Sequence, residues 1–178
     1  FLLDIAKKFD VKVIIDLNWR EVFWNYSSSA SQISKQERLN LIQKILHHVH
    51  ILKLAKEEAY LFFGNESPSE ISEILFNRPD VIITDGDNPI SWLINGFQGV
   101  TKVLNSSKII DTTGAGDAFL GGFISQLISS GYPSNELEIQ KCVQFASICG
   151  LLTCLGEGAI EQQPDYAKVK EFLGSQIL

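Results

Sequence analysis

Methionine is absent from this 178-residue chain, even at position 1, where Phe1-Leu2-Leu3 runs straight into an apparent helix tail and strand. Such a start reads as a chain that opens in mid-domain, with its N-terminus missing. Cysteine is scarce: Cys142, Cys149 and Cys154 share one apolar helical stretch, with no CxxC pair and no histidine at metal-ligand spacing nearby. They read as reduced core residues, which suits the cytoplasm, with an organelle stroma left open by the missing N-terminus. No apolar run approaches the ~18 residues of a membrane span, and no basic segment precedes a cleavable apolar one. The expectation is a soluble protein with no membrane partner. Basic charge is in deficit, 15 Lys and Arg against 21 Asp and Glu, for a net charge of -6 and a pI near 5.0. That argues against a nucleic-acid partner, whose phosphates call for a basic face. Repeats and low-complexity linkers are missing too, and the serine-rich stretch 27–31 reads as a surface loop.

What the chain does have is 45% hydrophobic and 20% charged residues, enough for a sizeable core and for one domain by length. Short apolar runs alternate with 3.6-period segments, the pattern of a parallel sheet covered by helices. Strands are expected at 11–16, 51–54 and 81–84. Helices are expected at 35–48, with Leu39, Ile42, Ile45 and Leu46 on one face, at 56–63, and at 68–76 with Pro68 near its start. Between 90 and 110 the pattern changes to closely spaced strands, 90–94, 100–104 and 108–110, divided by turns at Asn95-Gly96 and Asn105-Ser106-Ser107. This predicts an antiparallel edge on a mainly parallel sheet. Helices then fill 115–130, 134–155 and 165–174.

The stretch Asp111-Thr112-Thr113-Gly114-Ala115-Gly116-Asp117-Ala118-Phe119 joins a strand to a long apolar helix. Gly114 and Gly116 let the backbone approach a ligand, and the first N–H groups of the helix, with the positive end of its dipole, suit an anion. Asp117 lies in that first turn, where it can accept a proton from a hydroxyl attacking a bound phosphoryl group. A bare helix cap is the plainer account of glycines and an aspartate alone.

The whole stretch resembles the D-T-x-G-A-G-D-x-F signature of the PfkB, or ribokinase-like, carbohydrate kinases, and the rest of the chain is most similar to their fructokinase branch. The resemblance implies that Gly114, Ala115 and Gly116 form an anion hole and that Asp117 is the catalytic base. It implies ATP and Mg²⁺ as cofactors, with Asp111 and Thr113 near a monovalent cation such as K⁺. The Asp16-Leu17-Asn18-Trp19-Arg20 segment, followed by Trp24, resembles the D-P-N-x-R…W segment, with Leu17 in place of Pro; Asn18 and Arg20 are then expected near sugar and phosphate. Lys53 to Glu58 resembles K-x-N-x-x-E, with Ala55 at the Asn position and Glu58 acting on the metal–phosphate assembly. An exposed helix face is the plainer place for Glu58. Thr84-Asp85-Gly86 matches a T-x-G turn on the nucleotide phosphates. Phe145 to Gly150 and Gly158-Ala159 resemble segments around the adenine, which implicates Ala146, Cys149 and Gly150, with Ser147 replacing an Asn.

The implied fold is α/β, ribokinase-like and doubly wound, with residues 1–178 as the C-terminal portion of a single kinase domain. The N-terminal half and its lid, through which relatives dimerise, are not in the chain. The implied function is phosphorylation of a primary hydroxyl of a sugar, fructose to fructose 6-phosphate first, with ribose, ketodeoxygluconate and adenosine as other acceptors. Ala55 and Ser147 motivate a different reading, a kinase-like protein that binds a partner without turnover; retention of Asp117 argues against it. A dinucleotide fingerprint is ruled out by Phe119, which occupies the last glycine position of G-x-G-x-x-G.

Three conspicuous groups read as ordinary. His47, His48 and His50 point in different directions on a helix, without a carboxylate or thiol at metal-ligand spacing. Trp19, Trp24 and Trp92 read as packing residues. Glu136, Glu138, Lys168, Lys170 and Glu171 read as solvated helix faces.

Overall fold

The computed structural model describes residues 1–20 and 35–175, so Trp24 and the loop 27–31 lie outside the described residues. Two compact units divide the chain, Phe1–Ile83 and Thr84–Leu178.

The first unit contains α1 (Leu2–Lys8), β1 (Ile14–Asp16), α2 (Lys35–Leu46), β2 (Ile51–Ala55), α3 (Lys56–Phe63), α4 (Pro68–Ile74) and most of β3 (Asp80–Asp85). β1 and β2 are parallel, with Ile14 opposite Ile51 and Asp16 opposite Lys53. β3 flanks β2 on its other side. Burial does not alternate along β2, where Ile51 to Leu54 are all buried, as a continuous apolar run in a parallel sheet requires. Leu46, Leu52, Leu54, Ile71, Val81 and Ile83 form the core of this unit, with Ile15, Ile42 and Phe63 against it. Each such side chain contributes roughly 1.5–3 kcal/mol on burial.

Within this unit two helices end earlier than the pattern predicts. α2 stops at Leu46, and Ile45, expected on its apolar face, is exposed while Ile42 and Leu46 reach the core. α4 starts as expected, with Ser67 as N-cap and Pro68 at its first position, but Leu75 turns extended and buries itself. Phe76 is left in solvent.

The second unit begins within β3, turns at Gly86-Asp87, and continues through β4 (Asn88–Ile94), β5 (Phe97–Thr101), α5 (Ala115–Ser130), α6 (Glu136–Thr153) and α7 (Tyr166–Ser175). β4 and β5 are antiparallel. Asn95 and Gly96 both have positive φ, 50° and 78°, the conformation of a type I′ hairpin turn. That two-residue turn pairs Ile94 directly with Phe97, so β5 occupies 97–101 and not the expected 100–104. Trp92 lies fully buried across from Gly99, where an added Cβ would meet its ring at 2.4 Å, and its Nε1 donates to Thr101 Oγ1 at 2.9 Å.

The strand expected at 108–110 does not form. The N–H groups of Ile110 and Asp111 instead donate to the Cys154 carbonyl, at 2.8 and 3.3 Å, docking this segment onto the end of α6. α5 and α6 pack closely because Gly122 presents no side chain; a Cβ there would lie 2.6 Å from Cys149 Sγ and 3.2 Å from the Ala146 Cα. Phe145, Ile148, Cys149 and Val169 form a core with Leu152 and Phe172 beside them.

Candidate active site

α5 opens on Gly114, whose φ of 80° is left-handed. Two constraints make this a glycine position. Positive φ is strained for other residues, and a Cβ would come within 2.6 Å of the Ala159 Cβ. Ala115 N–H donates to Thr112 O at 3.2 Å and Ala118 N–H to Gly114 O at 2.9 Å. The Gly116 and Asp117 N–H groups between them have no hydrogen-bond acceptor among the described residues. Orphan donors at the positive end of a 16-residue helix can receive an anion.

Asp111 holds the loop before the helix. One carboxylate oxygen accepts from Thr113 N–H at 2.9 Å and from the Thr113 hydroxyl at 2.7 Å; the other accepts from Gly158 N–H at 2.9 Å. The first pair is an Asx-type turn. Thr113 N–H, then its hydroxyl, then Gly158 N–H hold the Asp111 carboxyl below its ordinary value. Three separated segments thus meet at the start of α5: the loop 111–114, the pair Gly158-Ala159, and α6, where Gly150 lets the Ala115 carbonyl approach to 3.0 Å of the position a Cβ would take.

Two cavities flank this turn. The larger, about 420 Å³, is lined by Thr84, Gly86, Thr112, Ala115, Gly116 and Gly150, among others. The smaller, about 280 Å³, is lined by Asp117, Cys149, Gln163, Asp165 and Tyr166. The structure therefore brings Thr84, Gly86, Ala115, Gly116 and Gly150 to one wall and Asp117 to the other. Asp117 is exposed, and its carboxylate accepts no hydrogen bond from the described residues. Ala146 is fully buried against α5, and Cys149 faces the smaller cavity. Ser147 does line the larger one.

Asp87, Ile90, Leu104, Asn105 and Leu151 are among the residues that line the larger cavity without having been singled out in the sequence. Asp87 follows Gly86 directly, so the turn itself was a signal for it. Leu104 and Asn105 belong to a segment read as strand and turn, and nothing local marks them.

In the first unit, Asn18 has a left-handed backbone, φ 44°, and its Oδ1 accepts from Arg20 Nε at 3.2 Å. Both side chains are exposed just beyond β1. Glu58 is buried and not on an exposed face: one oxygen accepts from Ala55 N–H at 2.7 Å and the other from Trp19 N–H. It closes half of a capping box on α3 while tying the loop after β1 to β2. Leu17 N–H donates to Lys53 O at 3.2 Å, and Lys53 Nζ pairs with Asp16 Oδ2 at 2.9 Å in nearly buried surroundings. The two segments singled out as D-L-N-W-R and K-L-A-K-E-E are thus one assembly. His50 has a backbone role, its Nδ1 accepting from Val13 N–H at 2.9 Å, and the Trp19 ring packs edge-on to Phe62 with centroids 5.3 Å apart.

An α/β fold with a mixed set of strands, and a glycine-started helix whose free amides face a cavity, suit a protein that binds an anionic ligand. The chain belongs to the pfkB family of carbohydrate kinases, whose model matches residues 4–165. It is 26% identical to probable fructokinase-2 of Arabidopsis thaliana over 98% of its own length and 52% of that protein. It is 27% identical to fructokinase-1 of Zea mays over 96% of its length and 51% of that protein. Among solved structures, the fructokinase of Vibrio cholerae O395 in its fructose-, ADP- and calcium-bound form superposes with a TM-score of 0.77 at 28% identity, covering 97% of this chain and 54% of that one. The ATP-bound fructokinase of Xylella fastidiosa superposes at 0.82 with 20% identity, covering 99% of this chain and 56% of that one, a likeness of fold. The chain spans about half the length of the curated relatives it matches.

Proposed function

We propose that this chain is the nucleotide-binding and phosphoryl-transfer portion of an ATP-dependent sugar kinase that phosphorylates a primary hydroxyl, with fructose as the acceptor and fructose 6-phosphate as the product. The observation that carries the reading is the first turn of α5, where unpaired amides and an unpartnered Asp117 carboxylate stand between two cavities. The donor cavity, at about 420 Å³, is within the size range of small-molecule sites and has glycines at Gly86 and Gly116 that leave room for phosphates. Bound ATP supplies the phosphoryl group, and Mg²⁺ with it neutralises charge on the phosphate oxygens.

The chain's own residues do the rest. Thr84 and Gly86 bound the donor side, and Ser147 and Gly150 lie opposite them on the α6 wall. The Gly116 and Asp117 amides meet the charge that develops on the transferred group. Asp117 takes the proton of the sugar hydroxyl as its oxygen attacks the terminal phosphorus and the bond to the departing diphosphate breaks. Asp111 and Thr113 fix the loop that presents these amides and lie where a monovalent cation such as K⁺ would be held. The family resemblance assigns Asn18, Arg20 and Glu58 to sugar and phosphate, and within the first unit Glu58 holds the loop that carries Asn18 and Arg20 through the Trp19 N–H. The three buried free thiols suit a cytoplasmic enzyme, and no helix among the described residues is long and apolar enough to cross a membrane.

Sugar-dependent ADP release by the full-length protein tests this, with fructose, ribose, glucose, ketodeoxygluconate, adenosine and fructose 6-phosphate as acceptors. Activity with fructose that falls ~10²–10⁴-fold in Asp117→Asn is the expected result, the range for loss of a general base. Silence with every acceptor would replace the kinase by a binding protein of the same fold.

A further inference from the structure

A further cavity of the second unit, about 700 Å³, lies away from the α5 start, among β5, the end of α5, α6 and α7. It shares no lining residue with the donor cavity, and only Phe145 with the cavity of Asp117. Its volume is that of a small-molecule site. In a chain of net charge -6, its walls carry Lys102, Lys141 and Lys170. Neither Lys102 nor Lys141 has a carboxylate within ion-pair distance among the described residues. Lys170 Nζ lies over the Tyr166 ring, 5.3 Å from its centroid.

The single carboxylate in the lining, Glu138, is partly committed, to the charge of Lys141 and to Ser134. One of its oxygens accepts from Ser134 N–H at 2.8 Å and from Ser134 Oγ at 3.0 Å. A further donor waits in the wall. Gln144 Nε2 is buried with no hydrogen-bond partner, an arrangement that destabilises a fold unless something completes it. Val100, Leu137 and Leu173 supply apolar surface beside these polar groups, and Val100 and Leu137 are largely exposed.

We propose that this cavity is a second ligand site that takes a small organic phosphate. Its dianion is held by Lys102, Lys141 and Lys170, an oxygen acceptor on the ligand completes Gln144, and the organic body lies on Val100, Leu137 and Leu173. Three ammonium groups match a dianion better than a single carboxylate, and the apolar wall would be wasted on inorganic phosphate.

The test is calorimetric titration of the full-length protein, its nucleotide site saturated with a non-hydrolysable ATP analogue and Mg²⁺, with phenyl phosphate and inorganic phosphate as probes. Phenyl phosphate should bind the more tightly of the two, with an affinity that falls as salt is added. Lys102→Glu with Lys141→Glu should weaken it by at least about tenfold, while Asp117→Asn leaves it unchanged. Gln144→Leu should raise the melting temperature without ligand, by removing an unpaired amide, and still weaken phenyl phosphate. No binding to the parent protein, equal affinity for the two probes, or unchanged affinity in the lysine and Gln144 variants would each overturn the proposal. None of these outcomes depends on sugar phosphorylation, so the kinase reading stands or falls separately.

Discussion

Asp111 carries three hydrogen bonds on two oxygens and fixes the loop that delivers Gly114 to the start of α5. Its carboxyl is held below the ordinary value of 3.8, first by Thr113 N–H, then by the Thr113 hydroxyl and Gly158 N–H. A depressed folded value means that the anion's contribution is fully present above the unfolded value and is lost as pH falls through the folded one. Asp111→Asn should therefore melt below the parent at pH 7, because an amide turns a donor toward donors. Thermal melts from pH 7 down to about pH 2 should show the gap closing below 3.8, as the parent's own carboxylate is protonated. Asp117 is the opposite case, a carboxylate with no partner, which suits a group that must receive a proton. Substituting it should leave the fold intact while removing turnover, and circular dichroism beside the ADP assay separates the two. The DTTGAGD motif was legible residue by residue because its requirements are local: a left-handed glycine, an Asx turn and a helix start. Glu58 was legible as a motif position and not as a buried cap, since its partners are Ala55 and the distant Trp19.

At the scale of elements, α3 and α5 show what capping and close packing each contribute. α3 begins at Ala55, which cannot accept from the helix N–H groups, although Glu58 reaches back to the Ala55 N–H. Ala55→Asn would complete the capping box and should stabilise the protein by about 0.5–2 kcal/mol, read as a rise in the urea midpoint at unchanged slope. α5 and α6 approach across Gly122. Gly122→Ala would place a methyl 2.6 Å from Cys149 Sγ and 3.2 Å from the Ala146 backbone. Separating the helices to make room should cost roughly 1–3 kcal/mol, and a drop in melting temperature checks it. Element type was readable from periodicity along most of the chain; element ends were less so. β5 starts at Phe97 because the Asn95-Gly96 turn sets the register, and 108–110 docks on Cys154 where a strand was expected. In both places a hydrogen-bonding choice, not apolar content, decided the outcome.

For the whole molecule, burial governs the three thiols. Cys142 and Cys149 are each pushed up to about 11 by burial, and Cys154 is raised by burial and then by the charge of Asp111. At pH 8 the native protein should react with iodoacetamide far more slowly than the urea-unfolded chain, at all three positions. The sign at alkaline pH follows: with folded values above the unfolded value near 9, the contribution is complete below pH 9 and is lost as pH rises toward 11. Urea midpoints at pH 8 and about pH 10 should show the fall. The sequence by itself determined what short-range physics controls: the type of most elements, where α3, α4 and α5 begin, and which nine residues carry the kinase signature. Only the tertiary structure decided that Thr84, Leu104, Gly116 and Ser147 share one cavity, that Asp117 faces another, that Glu58 is buried, and that Lys102, Lys141 and Lys170 surround a third. Turns and caps are settled within four or five residues of chain, whereas a cavity is defined by side chains far apart in sequence, whose meeting depends on how every helix packs.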